Sequence, residues 1–177
     1  MDLSLPVEHF VKRIKMASDW LGRTVSWCSF LMVIVMAAVV ILRYGFNLGW
    51  IWLQETVLYL HAITLMLAMA YTLNKDEHVR VDIFYRKFSQ RKKNKVNLFG
   101  HLLFLMPMCV FILFMSWSYV AQSWLILETS QEAGGLPLVY VLKSLLIIMP
   151  VLLLVQACAQ ILQIFFEQKR NQLGETK

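Results

Sequence analysis

Residues 51–73, IWLQETVLYLHAITLMLAMAYTL, carry one acid, Glu55, and no Lys or Arg, and their reading decides the fold. A hydrocarbon core of ~30 Å takes about 20 helical residues at ~1.5 Å each, so this stretch is long enough to cross a membrane. Working outward, three more stretches meet the same test, at 24–42, 98–127 and 144–166. With 59% hydrophobic and only 16% charged residues, the 177-residue chain exceeds the apolar share of a soluble domain. The expected fold is an all-α integral membrane protein with four transmembrane helices and one domain over residues 1–177. No repeat or low-complexity tract interrupts it.

Lys and Arg set the expected orientation. Residues 1–23 carry Lys12, Arg13, Lys15 and Arg23. The loop 74–96 carries Lys75, Arg80, Arg86, Lys87, Arg91, Lys92, Lys93 and Lys95, and the tail carries Lys169, Arg170 and Lys177. Only Arg43 and Lys143 fall on the other side of an alternating four-span plan, which predicts both termini and the basic loop to be cytoplasmic. The net charge of +6 then answers to anionic lipid and insertion topology, and nucleic-acid binding is rejected. In the leader, Val7, Phe10, Val11, Ile14, Ala17 and Leu21 recur at helical spacing, predicting an amphipathic helix lying on the membrane, with a grip on a partner subunit as the alternative. The apolar run after it is too long for a signal-peptide core and reads as an uncleaved anchor. The third stretch, roughly 45 Å as a helix, must tilt, bend at Pro107 or project beyond the lipid.

Several polar residues stand out against this background. Glu55 lies one turn past Trp52, in the aromatic belt, and an acid inside a span calls for a named partner. Arg43, across a short loop, is the expected one, with a contact to another subunit and a proton or ion pathway as the alternatives. His78, Arg80 and Asp82 alternate with Val79 and Val81 where the second span ends, reading as a turn or a docking element; one His and one carboxylate flanking an Arg make a poor metal site. Gln156, Gln160 and Gln163 share a face of the last helix with Glu167 and should glue it to a neighbouring helix or to another protein. Thr64, Ala68 and Thr72 form a small-residue stripe that admits close helix approach.

Catalysis finds no footing here. Ser/His/Asp or Cys/His sets, phosphate-binding glycine loops and paired carboxylates at working distance are missing from the sequence. Cys28, Cys109 and Cys158 are odd in number, lack ligand spacing and read as buried small hydrophobes. His61 and His101 raise the possibility of a haem-anchoring or electron-transfer four-helix subunit, but they lie at different depths. His61 is therefore expected to be hydrogen-bonded inside the bundle and His101 near an interface. No cofactor and no metal are expected. An independent small four-helix transporter is the remaining alternative.

Trp52 and Glu55 opening the second span, the His78-Val79-Arg80-Val81-Asp82 turn, the basic loop, and a last span entered through Leu136-Pro137 with Pro150 and Gln156 together resemble one family. It is the small membrane subunit of tripartite ATP-independent periplasmic (TRAP) transporters, and the resemblance covers residues 20 to 165. It implies a non-catalytic subunit of the bacterial inner membrane that packs against the fixed scaffold of a large multispanning subunit. That large subunit holds the substrate and sodium sites, and a periplasmic substrate-binding protein delivers the solute, usually an organic acid.

Overall fold

The computed structural model describes residues 4–77, 85 and 88–174, and the regular structure among them is helical. Four long helices follow one another: α1 Ser4–Phe46, α2 Ile51–Lys75, α3 Gln90–Leu125 and α4 Val139–Gly174. Each contains a stretch long and apolar enough to cross a membrane. The turn residues His78, Arg80 and Asp82 fall outside the described residues.

The leader continues into the first span as one 43-residue helix with no proline after Pro6. A sharp turn from the membrane plane into the span needs a proline, a π-turn or an inserted group, and this helix shows neither of the first two. Its inward positions Val11, Ser18 and Val25 are buried against the other helices, while Phe10 and Ala17, expected on the same apolar face, are exposed. At ~1.5 Å per residue α1 spans ~65 Å, twice what the hydrocarbon requires. Asn47 ends it in a left-handed conformation, φ 54°, which asparagine tolerates better than most residues.

Helix ends elsewhere follow local chemistry. Asp76, φ 59°, closes α2, with its N–H donating to the Leu73 carbonyl and the Glu77 N–H to that of Thr72. This is the paired-bond arrangement that satisfies terminal carbonyls. Leu127, φ 45°, closes α3 through bonds from the Leu127 N–H to Trp124 and the Glu128 N–H to Ser123. Within α3, residues His101–Leu105 widen into a π-turn, and the Met106 N–H reaches back to the His101 carbonyl. The widening sits just before Pro107, whose ring would otherwise press on the preceding turn. α3 begins in the basic segment, so its 36 residues reach ~54 Å and project past the apolar run at that end.

α4 is the centre of the packing. It touches α1, α2 and α3, whereas α3 leans chiefly on α4. Of its most apolar 18 residues 39% are buried, against 6% for α1 and α3, so the outer helices leave most of their apolar surface uncovered by this chain. Leu73, Cys109, Met149 and Leu153 bring α2, α3 and α4 together, and Pro150 is fully buried inside α4. α1 meets α2 closely at Gly22, where a Cβ would lie 2.3 Å from the Tyr71 ring. Of the three free cysteines only Cys109 is buried; Cys158 faces outward among Val151 and Val155, an apolar position suited to lipid as well as to a core.

Candidate functional site

Polar side chains gather at the two ends of α2. At its first turn Glu55 receives two donors from the connection between α3 and α4: the Ser130 hydroxyl to Oε1 and the Leu136 N–H to Oε2 at 2.5 Å. The connection folds around this carboxylate. Ser130 N–H donates to the Leu136 carbonyl, Glu132 N–H to Ser130 Oγ at 3.1 Å, and Gly135 N–H to the Glu132 carbonyl. Both glycines are needed for this path. Gly134 takes φ +82°, which side chains rarely adopt, and a Cβ on Gly135 would meet Ser130 Oγ at 2.4 Å and Glu55 Oε1 at 2.8 Å.

The expected Arg43–Glu55 pair is therefore replaced. Arg43 lines a shallow depression with Leu48, Gly49, Trp50 and Gln54, while Glu55 turns toward the loop from α3. Backbone N–H groups in a tight loop need acceptors wherever lipid excludes water, and a carboxylate accepts several at once. Trp52 is exposed and stacks on Trp50 with ring centroids 5.9 Å apart. Beside the cradle, Lys143 pairs with Glu128, lies 3.9 Å from the Tyr119 ring centroid, and holds the Glu128 carboxyl below its usual range. Trp124 Nε1–H donates to Ser144 Oγ at 2.8 Å.

At the Lys75 end a second cluster ties three helices. Gln156, 1% exposed, donates to Asn74 Oδ1 at 3.1 Å; Asn74 Nδ2–H donates to Asp19 Oδ1 at 3.0 Å; and Lys75 pairs with Asp19 at 2.9 Å. Gln160 Nε2–H donates to the Leu73 carbonyl at 2.6 Å, and Lys15 Nζ donates to Gln163 Oε1 at 2.6 Å. The glutamine stripe thus faces α1 and α2 of its own chain. Asn74, Asp19 and Lys15 were missed by sequence reasoning; an asparagine ending an apolar run was the available signal. Thr64 and Thr72 donate back to the Leu60 and Ala68 carbonyls, leaving their stripe smooth.

His61 is the clearest departure. It is exposed, between Leu58 and Leu65 on the outer face of α2, and not inside the bundle. His101 lies part-buried on α3, which packs on α4, so the two histidines do not face one another. Among the described residues no group of His, Cys, Asp or Glu is placed to hold a metal ion. The arrangement braces helices and a loop.

A family model described as "Tripartite ATP-independent periplasmic transporters, DctQ component" matches residues 32–167, well over half of the chain. No curated protein and no solved structure matched significantly.

Proposed function

Because the chain belongs to the DctQ component family of tripartite ATP-independent periplasmic transporters, a non-catalytic multi-pass component of the bacterial inner membrane, we propose that it is the static brace of its complex. It packs against the fixed scaffold of the large membrane subunit. That subunit moves an organic acid with sodium after a periplasmic binding protein has delivered it. One observation carries this reading: the intramembrane acid Glu55 and the glutamines Gln156 and Gln160 of α4 are committed to holding the chain together. Glu55 is taken up by Ser130 and Leu136, and Gln156 and Gln160 by α2. A transport site needs polar groups free to exchange partners with a solute, and discontinuous helices usually supply them. The four helices here run unbroken through their apolar lengths, and the large uncovered surfaces of α1 and α3 suit a neighbour of similar height.

Both termini and the loop 74–96 are cytoplasmic in this reading, which places the Glu55 cradle at the periplasmic face and the Gln156 cluster at the cytoplasmic one. Cysteine labelling of intact cells checks it, in a background without Cys28, Cys109 and Cys158. Gln131→Cys is expected to react with an impermeant reagent and Ser89→Cys only after lysis. Reversed labelling would sink the orientation.

The function itself is tested by tagging the chain in its native membrane and extracting it in mild detergent. A much larger multispanning protein is expected to come with it, and uptake of an organic acid should require both together with the binding protein. Uptake by the purified chain alone in liposomes would refute the brace and favour an independent transporter. A haem-anchoring role gains nothing from the outward-facing His61.

A further inference from the structure

His61 lies ten residues past Ile51 in α2, ~15 Å along a helix that must cross ~30 Å of hydrocarbon, and is therefore near the middle of the bilayer. Its ring is on the outside. Leu58, 63% exposed, Leu65, 53%, and Met69 flank it on one continuous outer face, with half-buried Gln54 a further turn toward the Ile51 end. A neutral imidazole carries one N–H donor and one acceptor nitrogen, and no residue of this chain's described part engages either. Lipid tails cannot satisfy them. Polar side chains at this depth usually face protein or a water-filled cavity.

We propose that this stripe, Gln54 to Met69 centred on His61, is the face by which α2 docks a transmembrane helix of the large subunit, and that His61 hydrogen-bonds a polar side chain or freed carbonyl of that helix at mid-bilayer. The proposal rests on the brace reading above. Shape narrows the occupant further. Leu58, Leu65 and Met69 form a bulky ridge, and helix interfaces in membranes are enriched in small residues that let backbones approach closely. The docking helix is therefore expected to bring glycine, alanine, serine or threonine opposite the ridge. A second copy of this chain meets that need poorly, because a two-fold contact would set ridge against ridge and His61 against His61. The small-residue stripe of α2, Thr64, Ala68 and Thr72, is itself half-buried and its hydroxyls are satisfied internally.

Two measurements on the full chain in its native membrane test the inference. A photoreactive benzophenone side chain at Leu65 is expected to crosslink to the large subunit. His61→Leu should lower the large subunit recovered per chain about three- to tenfold, the range that one membrane hydrogen bond supports, with the yield of the chain itself unchanged. His61→Gln, which keeps a donor and an acceptor, should restore most of that recovery. A histidine that merely faces lipid would give equal or better recovery as leucine, and that result overturns the proposal. Crosslinking from Leu65 only to lipid or to a second copy, while the large subunit still co-purifies, also overturns it and leaves the brace reading standing. If the unsubstituted chain recovers no multispanning partner, the brace reading fails and takes this inference with it.

Discussion

Glu55→Ala is expected to leave the detergent-purified chain about 3 kcal/mol less stable, because two hydrogen bonds to its carboxyl group are lost and the Leu136 N–H is left without an acceptor. Thermal unfolding, or the yield of assembled complex, reads the loss. A cycle with Ser130→Ala identifies the partner. Both substitutions remove the same bond, so their combined cost should fall well short of the sum, whereas Arg43→Gln should add independently to Glu55→Ala. Coupling to Arg43 and none to Ser130 would mean that the carboxylate has left the loop for the helix beside it. Gly135→Ala attacks the same cradle from the other side. Its methyl would fall 2.4 Å from Ser130 Oγ and 2.8 Å from Glu55 Oε1, and crowding of this kind typically costs about 1–3 kcal/mol. Ser130→Gly should relieve part of that penalty, since it removes the nearest atoms.

What the sequence made legible, and what it did not, follows the range of each interaction. The four spans were readable because hydropathy over about 20 residues is a property of the segment alone. Glu55 stood out for the same reason, as an acid in oil, yet its partner did not. Arg43 was near in the chain, whereas Ser130 and Leu136 lie 75 and 81 residues away and come close only through the packing of α4 on α2. The Gln156, Gln160 and Gln163 stripe was visible from helical spacing. Whether it faced self or partner depended on helix order, which spacing does not encode. His61 went the other way. A histidine in an apolar helix is more often turned inward, and the angular position that sends it outward is set by Val57, Ala70 and Leu73, which occupy the buried side of α2. The continuity of α1 could have been anticipated from the lack of a proline between Val7 and Phe46. Its amphipathic pattern suggested a lipid surface, where the structure supplies α2 and α4.

The cluster at the Lys75 end offers a test in which two substitutions should do less harm than one. Asn74→Leu removes the acceptor for Gln156 Nε2–H, and Gln156 Oε1 already has no protein partner among the described residues. A carboxamide 1% exposed would then be stranded, at an expected cost of about 1–3 kcal/mol. Gln156→Leu in the same chain withdraws the stranded group and fills its volume with hydrocarbon, and replacing both partners by apolar groups of similar size is often close to neutral. The double variant should therefore be more stable than Asn74→Leu alone. Asp19 limits the recovery, because it loses the Asn74 donor in both variants and keeps only Lys75, in a pair that is partly solvated and contributes little. Thermal midpoints of the three variants in one detergent decide the matter. A double variant as damaged as the sum of its parts would show that Gln156 and Asn74 act through other neighbours and that the three helices are not joined by this chain of bonds. Recovery in stability without recovery of the large subunit would add a further point: the cluster would then be shaping the Lys75 end of α2, with the adjoining parts of α1 and α4, for a neighbour as well as holding them together.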